Sequence, residues 1–208
     1  MPLSGRSAIL HPEYLTITVP GGGSYQGADQ EWFPLAWQRR AGCGPTAAAL
    51  ITAYLAQSVP GWEALYPEGR MDRALFRAHM CRVWAYVTPG PHGLNRPQVF
   101  ADGLAAYGAG RGVPLHPVVL ELPARRSRRP GWEEWSAFVR AALDRDRPVA
   151  FLNLCNGRVK ELDRWHWVTI TALEGPTATI VESGRAYPID LARWLATTTK
   201  RGGLVTVE

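Results

Sequence analysis

Cys43 and His166, far apart in the chain, are the two residues whose surroundings suggest covalent chemistry. Cys43 stands in the run Gln38-Arg39-Arg40-Ala41-Gly42-Cys43-Gly44-Pro45-Thr46-Ala47-Ala48-Ala49-Leu50. Pro45 suits the first turn of a helix, where the missing N–H costs nothing. Beyond it Ala47, Leu50, Ile51, Tyr54 and Leu55 fall at helical spacing and predict one buried stripe. Cys43 is therefore expected at, or just before, a helix N-terminus. The macrodipole and the free backbone N–H groups there favour negative charge and lower the pKa of a thiol. The same N–H groups can stabilise an oxyanion. A small buried cysteine packing a helix start would read the same way.

His166 lies in Trp165-His166-Trp167-Val168-Thr169-Ile170-Thr171-Ala172-Leu173, which reads as a strong strand. His166, Val168, Ile170 and Ala172 share one face, and Trp167, Thr169, Thr171 and Leu173 the other. Gly175-Pro176 turns the chain, and residues 177–182 return as the partner strand. Antiparallel pairing brings Glu182-Ser183-Gly184 near the start of the histidine strand. A thiol, an imidazole and a group to orient the imidazole make the nucleophile, base and orienter of covalent catalysis. Glu182 is the first candidate orienter and Ser183 the second. Asp190 is the third, although capping a short helix through Trp194 explains it without catalysis.

The elements that must hold these groups are legible in outline. Residues 14–19 alternate as a strand, ended by Pro20 and Gly21-Gly22-Gly23. Trp32, Phe33, Leu35 and Trp37 crowd before Cys43, as cleft wall or as packing under the helix. A second helix is expected from about Asp72, with His79 on its apolar stripe as a core-edge histidine. A third follows Asn95 as cap, with Pro97 in its first turn and Gly108 as its closing cap. Val113 to Leu122 predicts a strand pushed to a sheet edge by Pro114 and Pro117, and Trp135 to Leu143 a fourth helix. Pro148 to Leu154 predicts a buried strand, and Leu204 to Val207 a last one. Helices concentrate in the first half and strands in the second, which argues an α+β class.

The chain has 208 residues, of which 46% are hydrophobic, enough for a core of normal size in one domain. That domain divides into an N-terminal strand and glycine-rich loop over 1–30, a helical half over 31–145 and a sheet half over 146–208. The formal net charge is +5, and part of the excess sits in Arg125-Arg126-Ser127-Arg128-Arg129, read as an exposed loop able to touch an acidic partner. No aromatic residue interleaves with it, so no nucleic-acid partner is expected. Three cysteines, none at C-x-x-C spacing and none joined by a histidine cluster, predict neither a disulfide framework nor a metal site. Met1 to Leu10 lacks the apolar run of a signal peptide, and no run approaches membrane-spanning length, so a cytoplasmic protein with no membrane partner is expected.

Gly42-Cys43-Gly44-Pro45-Thr46-Ala47-Ala48 resembles the nucleophile motif of papain-like cysteine peptidases, in the branch related to bacteriocin leader-processing (double-glycine) peptidases. Trp165-His166-Trp167-Val168-Thr169-Ile170 resembles that branch's histidine strand. Phe151-Leu152-Asn153-Leu154 and the Thr88-Pro89-Gly90 loop are similar to uncharacterised bacterial proteins of the same type. The resemblance runs in order from about Trp37 to Trp194, and is specific mainly at the two motifs. It implies a papain-like fold with the cysteine helix packed on an antiparallel sheet. It also implies that Cys43 is the nucleophile and His166 the general base and acid.

The chain departs from that pattern twice. The family's oxyanion glutamine stands six positions before the cysteine, whereas Gln38 stands five before Cys43. The family's third residue is Asp or Asn, in this branch often in an Asp-Pro turn, whereas the matching turn here is Glu182-Ser183-Gly184. The expectation is a thiol hydrolase of peptide or isopeptide bonds, with Cys43, His166, Glu182 and Gln38 at the chemistry and Trp37, Gly42 and Trp167 at the substrate. It needs no cofactor and no metal, and its partner is a peptide or protein substrate. Trp32 joins Trp37 and Trp167 as an expected cleft wall. Two other readings use the same scaffold: an acyltransferase with the same Cys–His pair, and an inactive papain-like module that binds peptides through its tryptophans. Alkylation is expected at Cys43 far faster than at Cys81 or Cys155. The sequence does not specify the oligomeric state.

Overall fold

A computed structural model describes residues 5–208; the reading of Met1–Leu10 lies in part outside them. The chain enters through β1 (Arg6–Ala8), a short 3-10 turn at Pro12–Leu15, and the hairpin of β2 (Thr16–Thr18) and β3 (Ser24–Gln26). The expected strand over 14–19 is thus shorter, because Pro12 starts a tight turn that takes up Tyr14 and Leu15. Then come α1 (Ala36–Ala41), α2 (Cys43–Ser58), α3 (Arg73–Trp84) and α4 (Pro97–Gly110). The second half holds β4 (Pro117–Leu122), α5 (Trp132–Leu143), β5 (Val149–Asn153), β6 (His166–Glu174), β7 (Thr177–Glu182), β8 (Arg185–Asp190), α6 (Leu191–Thr197) and β9 (Gly202–Val207).

Helix boundaries follow their caps. Asp72 accepts from the N–H groups of Ala74 and Leu75 and starts α3 where expected. Asp190 does the same for α6 through Arg193 N at 2.8 Å. At α4 the capping position is Arg96, one residue later than the expected Asn95, with Pro97 at the first helical position. Its end lies beyond Gly108, at Gly110; Gly108 still takes the closing bond, its carbonyl accepting from Val113 N.

The architecture is α+β. Seven strands form one sheet in the order β4-β9-β5-β6-β7-β8, with β1 paired to β6. All pairings in it are antiparallel. β4 takes an edge, as Pro117 at its start favours, while Pro114 lies ahead of the strand. β5 and β9, inside the sheet, are buried along their whole length. β1 pairs Arg6 to Ala8 with Glu174 to Ala172, so it continues the line of β5 along the far half of β6.

α2 is buried on almost every side, from Gly44 to Ala56. Its alanines let it sit close between the sheet and the other helices, and it packs on β6. The cysteine helix therefore rests on the histidine strand. Among the described residues no helix is long and apolar enough to cross a membrane.

Candidate active site

Cys43 is the first residue of α2, half-buried, and only Gly42 separates it from α1. The two glycines beside it are there for space. A Cβ on Gly42 would stand 2.4 Å from the carbonyl oxygen of Gln38 and 2.7 Å from the Phe33 ring, and one on Gly44 would stand 2.6 Å from Leu94. Side chains at either place would push the thiol's supports away. Pro45 has no N–H, and Thr46 N donates to Gly42 O at 2.9 Å, so the helix tightens immediately after the cysteine.

His166 opens β6, opposite Asn153 of β5. Asn153 is fully buried; its amide donates to Asp163 O at 2.5 Å and accepts from the Trp194 indole at 3.1 Å. That fixes the loop that delivers His166. The imidazole Nε2 lies 2.5 Å from Oε2 of Glu182, and both side chains are largely buried, 15% and 9% exposed. Glu182 ends β7, at the open end of the β6–β7 hairpin. Its Oε1 accepts from the Tyr187 hydroxyl of β8, and Ser183 Oγ stands 3.4 Å from Oε2.

The imidazole, held by Glu182, lines the same cavity as the Cys43 side chain. With Nε2 on Glu182, Nδ1 is the nitrogen left for sulfur. Burial is the largest influence on His166 and disfavours its charged form; its neighbours Cys43 and Glu182 outweigh it and push its pKa up to about 10. Burial likewise acts to raise the pKa of Glu182; His166, Tyr187 and Ser183 together hold it below the usual carboxylate range. The backbone bends sharply at this pair. Trp165 and Ser183, the neighbours of His166 and Glu182, have φ of 59° and 47°. They are two of the three described non-glycine residues with positive φ, and such strain concentrates at functional sites.

Cys43, His166 and Glu182 line one small cavity, and Ser183 lines it too. Gln38 does not. It sits in the first turn of α1, where its Oε1 accepts from Leu35 N at 3.3 Å. The glutamine in the cavity is Gln30, with its amide donating to Arg39 O at 2.8 Å. Nothing in its local sequence singles it out, since it reaches the cavity through a 3-10 turn at Gln30–Trp32. Asp190 caps α6 on the far end of β8.

A groove of about 210 Å³ opens on the other side of Cys43. Trp37 and Trp165 both line it, 44% and 48% exposed, together with the loop Pro91–Asn95. Trp167 does not face this groove: it is 2% exposed and stacks on Phe100 with ring centroids 4.3 Å apart. Its indole donates to Leu94 O at 2.6 Å and so holds the groove's floor. Trp32 is buried edge-on against Tyr25 and Phe76. The exposed tryptophan of the histidine motif is Trp165, turned outward by its left-handed φ.

The other thiols differ. Burial pushes the Cys81 thiol up. Burial acts the same way on Cys155, but hydrogen bonds from Thr199, Gly157 and Thr198 outweigh it and bring its pKa down to about 7. Among the described residues, no group of three or more His, Cys, Asp or Glu is placed to hold a metal ion.

No protein-family model and no curated protein matches the chain. The solved structures it is similar to include the following three. A double glycine motif protease from an AMS/PCAT transporter, in complex with the leader peptide, is 12% identical, with 80% of this chain and 84% of that chain covered and a TM-score of 0.37. A putative C39-like peptidase from Bacillus anthracis is 11% identical, with 97% of each chain covered and a TM-score of 0.45. The Pseudomonas avirulence protein AvrPphB is 12% identical, with 78% of this chain and 90% of that chain covered and a TM-score of 0.36.

Proposed function

We propose that this protein is a papain-like thiol hydrolase acting on peptide or isopeptide bonds. One observation carries the reading: Cys43, His166 and Glu182 line one cavity, with His166 hydrogen-bonded to Glu182, beside a groove that Cys43 also lines. Cys43 sulfur gives its proton to His166 Nδ1 and attacks the substrate carbonyl carbon. The oxygen becomes an oxyanion, held by the first N–H groups of α2. The C–N bond then breaks as Nδ1–H passes its proton to the leaving amine, and a thioester remains on Cys43. Water attacks the thioester and gives a proton to Nδ1. The C–S bond breaks, a carboxylic acid leaves, and the sulfur regains the proton. Glu182 keeps the imidazole oriented and stabilises its cation throughout.

The low pKa of Cys155 dictates how this is tested, since that thiol also alkylates near neutral pH. In a Cys155→Ser background, iodoacetamide is expected to alkylate Cys43 far faster than Cys81, as read by peptide mass spectrometry. His166→Ala is expected to slow alkylation of Cys43 by about tenfold or more. New termini in a mixed synthetic peptide library, absent with Cys43→Ala, then report hydrolysis. Equal labelling of Cys43 and Cys81, unaffected by His166→Ala, overturns the reading.

A further inference from the structure

The chemistry above leaves the arginine loop unused. Arg125, Arg126 and Arg128 are exposed, and among the described residues none of them forms an ion pair. Arg129 is different. Its guanidinium is half-buried and donates to Pro123 O and Ala124 O on its own side, and to Thr198 O at 2.6 Å and Lys200 O at 3.0 Å across the gap. It clamps the loop onto the segment between α6 and β9. That segment carries Lys200 and Arg201, both exposed. Lys200 in turn lies 4.8 Å from the centre of the Trp165 ring, and Trp165 lines the groove at Cys43.

A chain of contacts thus joins the arginine loop to the mouth of the groove. The two segments hold six cations, and residues 122–132 and 195–207 contain no acid, although Glu121 and Glu133 flank the loop. The protein has 23 basic and 18 acidic residues; without these six it has 17 and 18. The patch thus gathers six positive charges in a chain whose formal net charge is +5. The groove continues the pattern: Arg40 lines it, and no carboxylate does. A fixed field of one sign running into a cleft attracts and aligns a polymer of opposite sign.

We propose that the arginine loop is a docking site for an acidic segment of the polypeptide substrate, which lies across Arg125, Arg126, Arg128 and Lys200 while the adjoining apolar segment enters between Trp37 and Trp165. This rests on the hydrolase reading. The loop is the rigid half of the pair, since Arg129 already holds it; the substrate supplies the counter-charge.

The test uses affinity labels that report arrival at Cys43. A chloroacetyl-capped leucine-alanine-glycine peptide is made with a tail of four glutamates or four lysines, and its rate of alkylating Cys43 is measured in the Cys155→Ser protein. At low salt the glutamate-tailed label is expected to react about tenfold faster than the lysine-tailed one. The advantage disappears at about 0.5 M salt. It also disappears in the Arg125→Ser/Arg126→Ser/Arg128→Ser variant, while iodoacetamide still reacts at the unchanged rate. Equal rates for the two tails, or an advantage that survives the triple substitution, overturn the proposal. So does tighter, loop-dependent binding of a single-stranded RNA of about 20 nucleotides or of a phosphatidylserine vesicle than of the glutamate-tailed peptide. If His166→Ala leaves iodoacetamide labelling of Cys43 unchanged, the hydrolase reading fails; if labelling is His166-dependent but the tails react equally, only the docking assignment fails.

Discussion

Glu182 helps to favour the charged form of the imidazole. Its carboxylate is held at both oxygens, by His166 on one and Tyr187 on the other, so this side chain, longer than the Asp or Asn of the resembled family, reaches the imidazole. Replacing it by glutamine removes a negative charge that raises the His166 pKa. With the imidazole protonated up to about pH 10, the alkaline limb of peptide hydrolysis, where the leaving amine no longer finds a proton on His166, is expected near that value. In Glu182→Gln it moves toward neutral pH by about one unit or more, and the rate at pH 7 falls by about tenfold or more. A pH profile of hydrolysis on a cleaved peptide checks both. The pairing of residues 166 and 182 was legible because a hairpin's register is local and its turn was marked by Gly175-Pro176. Tyr187 was not, because β8 carries Pro188 and lacks alternation, so nothing marked it as a strand. Gln30 and Trp165 were missed for a related reason: a side chain's direction depends on a turn's backbone angles, which residue type alone does not give.

At the scale of elements, the thiol is placed by three packed pieces: α2, the loop Pro91–Asn95, and β6 through Trp167. Gly44 is the contact point. Alanine there would drive its Cβ against Leu94 and to 3.3 Å from Trp167. Gly44→Ala is expected to displace that loop, costing about 1–3 kcal/mol of stability by overpacking and about tenfold or more in Cys43 reactivity. Denaturant unfolding and alkylation measured on the same variant separate the two effects. The long elements were readable from periodicity and caps; Asp72 and Asp190 each took the role their position suggested. α1 was hidden because its six residues carry one turn and a half of helix, too few for a 3.6-residue period to show among neighbouring aromatics.

In the whole molecule, one buried group links folding to acidity. His79 is wholly buried between helices, its Nε2 3.0 Å from Thr52 Oγ1 and 3.2 Å from Ala49 O. Burial pushes its pKa down to about 3, helped by repulsion from Arg82. The unfolded chain therefore takes up a proton that the folded one refuses. This group costs nothing above its unfolded pKa of about 6.5, and its contribution is lost as pH falls from there toward 3, at about 1.4 kcal/mol per unit. Between pH 7 and pH 5 the protein is expected to lose about 2 kcal/mol more than a His79→Gln variant, by urea titration at each pH. The sequence put His79 on an apolar stripe but at the core's edge; its complete enclosure comes from Tyr66 and Tyr107, residues of other elements. The α+β class was legible because helix and strand patterns separate along the chain. The strand order was not, since β1 has three residues without an apolar pattern and finds its partner only once β6 exists.

That late-found partnership has a practical side. Arg6 meets Glu174 at one end of β6, and His166 lies at the other, eight residues away or about 25 Å. A tether attached ahead of Arg6 would leave from the end of the sheet remote from the reacting sulfur. Immobilised by that end on a bead or sensor chip, the protein would present its groove to the flowing solution, and a captured polypeptide would have room to approach.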